Sequence, residues 1–139
     1  MKRVFISILA ALLMAPVMLF GGEPFRGTFV EKNLGLKLVI DLYSESVDVP
    51  GMEMFGPLNG YINGTGIYRT WYVSKIRRCD ENKAIVHFSN DLGSETQPVE
   101  LTLNGDSLIH FREIEGSVMK KSVGKKLVKM QSDFVMKRE

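Results

Sequence analysis

The residues of this chain with distinctive chemistry are two histidines, one cysteine and one tryptophan, and their spacing limits what they can do. His87 and His110 are the side chains best placed in pKa for general acid–base work near neutral pH. His87 sits in an alternating run in which Ala84, Val86 and Phe88 share one face, so its ring is expected on the opposite, outward face. His110 shares a face with Leu108 and Arg112, opposite Ile109 and Phe111. Neither belongs to an H-E-x-x-H, G-x-S-x-G, phosphate-loop or dinucleotide fingerprint. No catalytic residue is assigned, and an enzyme stands as the third alternative, requiring one histidine to meet a carboxylate in a cleft. Cys79, a lone thiol that is either buried and inert or paired with another molecule, lies in the charged turn Arg77-Arg78-Cys79-Asp80-Glu81-Asn82. A turn residue with no role is the preferred reading, and a thiol whose pKa the arginines lower is the alternative. One cysteine and two distant histidines lack the spacing of a zinc site. Ser89-Asn90-Asp91-Leu92-Gly93-Ser94-Glu95 offers oxygen ligands, but without the spacing or glycine position of a calcium loop. It reads as a turn in which Asn90 and Asp91 bond local backbone and Gly93 takes an unusual φ. No metal and no cofactor are expected.

Binding chemistry is better represented. Ile67-Tyr68-Arg69-Thr70-Trp71-Tyr72-Val73 is the aromatic centre of the chain. Read as a strand, it places Tyr68 and Tyr72 on one face and Arg69 and Trp71 on the other. Trp and Tyr bury large areas while keeping a polar handle, which suits binding surfaces; a core anchor is the alternative for Trp71. The segment Asp48–Gly66 holds five glycines and two prolines together with Met52, Met54 and Phe55. So long a connection carrying bulky apolar residues is either a plug for one end of the core, a lid, or a protrusion that enters a partner's groove. Met52, Met54, Phe55, Tyr68, Arg69, Trp71 and Tyr72 form the candidate contact set. Its ligand would be a small apolar or amphipathic molecule, or an extracytoplasmic protein. Residues 117–139 add seven basic residues against two acidic ones, either a solvated strand face or a site for an anionic partner such as polysaccharide, lipid headgroup or acidic protein. Asn63-Gly64-Thr65 matches a glycosylation sequon.

The elements that must position these residues are short strands. Leu36, Leu38, Ile40 and Leu42 alternate with Lys37, Val39 and Asp41, and Val99, Leu101 and Leu103 alternate with Glu100 and Thr102. Asn104-Gly105-Asp106 is a hairpin signal, because Asn and Gly tolerate positive φ. Strands are predicted at Arg26–Glu31, Leu36–Leu42, Leu58–Asn63, Ile67–Ile76, Lys83–Phe88, Thr96–Leu103, Ser107–Glu113, Lys125–Met130 and Phe134–Arg138. Eight or nine strands with tight connections predict an all-β antiparallel meander, closed into a single small barrel of lipocalin-like shape by pairing the last strand with the first. A β-sandwich is the alternative. The lipocalin Gly-x-Trp signature near the first strand is absent. Ser117–Gln131 is open between a basic helix lined by Val118, Met119, Val123, Leu127, Val128 and Met130 and the strand Lys125–Met130 after a Gly124 turn. The strand is preferred because Gly124 disfavours a helix, and a short helix at Ser117–Ser122 is a further alternative.

The first residues set the compartment. Lys2 and Arg3 precede an apolar run, Val4–Phe20, and the small pair Gly21-Gly22, the layout of a secretory signal peptide over residues 1–22. Glu23–Glu139 is then one domain, without a transmembrane span after cleavage. The chain has 18 Lys and Arg against 16 Asp and Glu. Lys2 and Arg3 account for the excess, so the remaining domain is neutral and nucleic acid is not an expected partner. Oligomeric state has no sequence signal.

Asn59-Gly60-Tyr61-Ile62, Thr70-Trp71-Tyr72-Val73, Ser89-Asn90-Asp91-Leu92-Gly93-Ser94 and Gly124-Lys125-Lys126-Leu127-Val128-Lys129 together resemble small secreted β-rich proteins of Bacteroidetes-type bacteria. The resemblance implies a secreted or periplasmic protein of the bacterial cell envelope and carries no catalytic residue. The function expected is a non-catalytic β-barrel binding module, with a protein-interaction module, such as an inhibitor of an extracytoplasmic hydrolase, as the alternative.

Overall fold

The computed structural model describes residues 22–139. The leader assigned to residues 1–22 lies outside the described residues apart from Gly22. Ten strands follow in order: β1 Arg26–Glu31, β2 Leu36–Asp41, β3 Gly60–Asn63, β4 Trp71–Cys79, β5 Lys83–Asn90, β6 Thr96–Asn104, β7 Leu108–Glu113, β8 Lys120–Val123, β9 Lys126–Lys129 and β10 Asp133–Arg138. Eight of them close a barrel in the order β1-β10-β7-β6-β5-β4-β3-β2, every pair antiparallel. β8 and β9 form a separate two-stranded hairpin inserted between β7 and β10. The expected all-β meander, closed by its first and last strands, is the fold.

The alternating runs explain the wall. Leu36, Leu38 and Ile40 of β2, Ala84, Val86 and Phe88 of β5, and Val99, Leu101 and Leu103 of β6 turn inward and are buried. Phe29, Phe88, Phe111 and Phe134 fill the interior between them, with Phe111 and Phe134 stacked at 4.7 Å. Each such side chain contributes about 1.5–3 kcal/mol on burial. The interior is therefore a solid core of aromatic and aliphatic side chains.

Three local departures from the sequence expectation matter. β4 begins at Trp71, not at Ile67, and its register against β5 slips between Val73 and Lys75 and again between Ile76 and Arg78. Each slip adds a residue on β4 and bends it, which simple alternation cannot anticipate. Residues 117–122 form no helix; Lys120–Val123 is strand β8. Gly124, at φ 61, supplies the positive φ that the first position of the two-residue turn to β9 requires.

The long connection 42–59 does not plug the barrel. It folds back on itself through the Val47–Leu58 bridge and lies along the outer wall. Val49 and Met52 bury there against Val39, Tyr61 and Tyr72, a second apolar cluster outside the barrel. The end of the core opposite this connection is filled instead by Met119 and Met130, at the two feet of the β8–β9 hairpin.

Candidate binding site

The antiparallel meander sends alternate connections to opposite ends. The first end carries connections 42–59, 80–82 and 105–107; the second carries 32–35, 64–70, 91–95 and the 114–132 excursion with its hairpin.

At the second end a cleft of about 230 Å³ is bordered by Tyr68, Arg69, Trp71, Asn90, Leu92, Ser94, Glu95, Val118, Lys120 and Leu127. Local chemistry builds each side of it. Arg69 takes φ 69, a turn conformation that lifts Tyr68 and Arg69 out of the strand. The Tyr68 N–H donates to the Lys120 carbonyl at 2.6 Å, tying this turn to the hairpin. The indole N–H of Trp71 donates to the Tyr68 carbonyl at 3.1 Å, so the buried Trp71 is both core anchor and cleft floor. Arg69 bridges to Asp91 at 3.3 Å and lies over the Tyr68 ring. Across the cleft, Asn90 organises the 91–95 turn. Its Oδ1 accepts from the Ser94 N–H at 2.9 Å, its Nδ2 donates to the Ser94 hydroxyl at 3.0 Å, and Gly93 takes φ 71. The polar cluster is thus the expected turn, with Asp91 turned to Arg69 rather than to backbone.

The seven sequence-derived contact residues fall into three places. Tyr68, Arg69 and Trp71 meet at the cleft. Met52 and Tyr72 pack in the outer-wall cluster. Met54 and Phe55, on a one-turn helix Glu53–Phe55, are 85% and 63% exposed. Tyr68 and Tyr72 do not share a strand face, because residue 68 precedes the strand.

Gln97 was invisible to motif reasoning. Fully buried on the inward face of β6, it donates through Nε2 to the carbonyls of Pro98, Ile114 and Gly116 and accepts from the Val118 N–H at 2.7 Å. It pins the approach to the hairpin. Glu113, inward at the end of β7, is 7% exposed, and neither carboxylate oxygen has a hydrogen-bond partner. Burial pushes its pKa up to about 7, opposed only in part by the nearby Ser117 hydroxyl and Lys129.

The remaining reactive groups stand apart. His110 pairs with Asp133 across β7 and β10 on the outer wall. His87 is held below its ordinary pKa by burial and by Arg77 and Lys75. Cys79 is free, and burial together with Asp80 raises its pKa, the reverse of the lowering expected from its arginines; Arg78 is engaged by Asp80. No helix among the described residues is long and apolar enough to cross a membrane.

No family model, curated protein or solved structure matches the chain.

Proposed function

We propose that the chain is a non-catalytic binding module of the secreted or periplasmic compartment that takes its ligand at the hairpin end of the barrel rather than inside it. The observation that carries this reading is the coincidence of Tyr68, Arg69 and Trp71 at one open cleft above a filled core. The cleft has an aromatic floor, apolar flanks in Leu92 and Leu127, and charged rims in Arg69, Lys120 and Glu95. That mixture suits a small or extended amphipathic ligand, held by apolar contact and oriented by charge. Trp71 is the chain's single tryptophan and lies in the core beneath this cleft, so its fluorescence reports on this end of the barrel. Titration with amphipathic ligands should shift Trp71 emission, and Tyr68→Ala should weaken the binding. A ligand bound tightly with no change in Trp71 emission would sink the reading.

A second reading is favoured by the exposure of Met54 and Phe55 on a loop anchored through Met52. Two large apolar side chains held on a fixed loop suit insertion into a partner protein, including the groove of an extracytoplasmic hydrolase. Phe55→Ala should then reduce partner capture without reducing stability; equal loss of both would point to a folding role.

A further inference from the structure

Neutral net charge conceals a difference between the connections at the two ends of the barrel. The connections at the first end contain Glu45, Asp48, Glu53, Asp80, Glu81 and Asp106 and no Lys or Arg, while Arg26, Arg78, Lys83 and Arg138 stand at the strand ends beside them and offset part of that charge. The connections at the second end contain seven basic residues against three acidic ones, and five of the seven are the hairpin lysines Lys120, Lys121, Lys125, Lys126 and Lys129.

The hairpin is an unusual element for a folded domain to keep. No acidic residue lies between Lys120 and Lys129, and among the described residues none of these lysines makes an ion pair. Lys120 and Lys129 are directly opposite across the strands, a like-charge pairing that weakens a hairpin. Val123, Leu127 and Val128 are nevertheless left 54%, 47% and 36% exposed on it, and Leu92, on the neighbouring turn, is 65% exposed. These features disfavour the isolated fold, and a surface that is both anionic and apolar relieves both at once.

We infer that the hairpin end is a docking surface for an anionic phospholipid bilayer, which the barrel meets with β8–β9 first and its acidic end turned away. Lysines placed around exposed Val and Leu side chains match the two layers of such an interface: headgroup phosphates take the ammonium groups, and the acyl boundary covers the apolar side chains. A polysaccharide would neutralise the lysines but leave Val123, Leu127, Val128 and Leu92 in water. An acidic protein surface could do both, but nothing in the hairpin's geometry selects a particular protein shape. The hairpin lysines, which have no acidic neighbours on the hairpin, set the orientation, and the acidic connections at the far end favour the same one.

The test is flotation of the purified protein with vesicles of phosphatidylcholine, with and without phosphatidylglycerol. The protein should float with the phosphatidylglycerol vesicles alone, and binding should fall as salt rises. Lys125→Glu with Lys126→Glu should reduce binding at least about tenfold. Val123→Ser with Leu127→Ser should weaken it about threefold or more with the salt dependence retained. All four positions are exposed, so circular dichroism of the variants should match the parent. Equal partitioning to both vesicle types, no partitioning to either, or binding unchanged by the lysine exchanges would overturn the inference, as would capture of an acidic protein or polysaccharide by a chain that ignores vesicles. Leu92, Lys120 and Leu127 border the cleft as well, so two exchanges separate the two readings. Tyr68→Ala should weaken ligand binding in the absence of vesicles and leave flotation unchanged, and Lys125→Glu with Lys126→Glu, outside the cleft, should do the reverse.

Discussion

The Arg138 guanidinium lies 4.5 Å from the centre of the Phe29 ring. The two residues are direct register partners where the last strand meets the first. The same guanidinium donates to the carbonyls of Asp106 at 2.6 Å, Arg26 at 2.8 Å and Pro24 at 2.8 Å. It thus caps the first end of the core and ties the β6–β7 turn to the start of β1. Gly27 makes room for it: a Cβ there would stand 2.6 Å from Nη1, on a backbone at φ 143.

Arg138→Ala should therefore loosen barrel closure. Losing three charge-assisted hydrogen bonds and the ring contact should cost about 2–4 kcal/mol, read as a lower urea midpoint. Arg138→Lys should recover only part, because an ammonium cannot reach three divergent carbonyls from over a ring. Full stability in Arg138→Ala would show that strand pairing alone closes the barrel.

Gln97→Leu should cost about 1–3 kcal/mol, since it removes the side-chain partner of the Ile114 and Gly116 carbonyls and of the half-buried Val118 N–H. Hydrogen exchange should accelerate at Val118 and Met119 before it does in β5 or β6. Uniform acceleration across the barrel would refute a local pin.

Glu113 makes stability depend on pH. Its folded pKa of about 7 lies above the ordinary 4.5, so the folded state holds the proton more tightly. The contribution is fully present below 4.5 and is lost as pH rises through 7. Screening at the barrel mouth limits the change to roughly 1–2 kcal/mol. Glu113→Gln should flatten the stability profile across this window. An unchanged profile would assign the dependence to another group.

The loop residues should separate cleanly. Met52→Ala, in the outer-wall cluster, should cost about 2 kcal/mol. Met54→Ser and Phe55→Ser should change thermal stability by less than about 0.5 kcal/mol. Destabilisation by the Phe55 exchange, measured by calorimetry, would mean that the side chain is covered in solution.

Much of the wall was legible because strand alternation is a local property. Arg26–Glu31 matches β1 at both ends, and the alternating runs of β2, β5 and β6 turn the predicted faces inward. Asn104 to Asp106 marked the β6–β7 turn through backbone tolerance alone. The start of β4 was not legible. Tyr68 and Arg69 alternate as a strand would, but Arg69 takes a positive φ and the Tyr68 N–H is bonded to the hairpin, a partner 52 positions away in the chain. Of the contact set, Tyr68, Arg69 and Trp71 share a site, while Met52 and Tyr72 carry the same aromatic or apolar signature and serve the outer wall. Residue type reports a tendency to be covered, not what does the covering.

The sequence by itself determined an all-β antiparallel meander, because period-two burial and turn residues act over a few neighbours. The pairing of β1 with β10 that closes it into a barrel rather than a sandwich is a long-range contact that the tertiary structure decided. Only the tertiary structure decided which wall the 42–59 connection covers, that Met119 and Met130 rather than Met52 close the core, and that Gln97 holds the hairpin in place. It also decided the charge difference between the connections at the two ends. A sum of zero has no direction until an antiparallel meander sends alternate connections to opposite ends, placing the hairpin lysines far from the acidic turns that balance them.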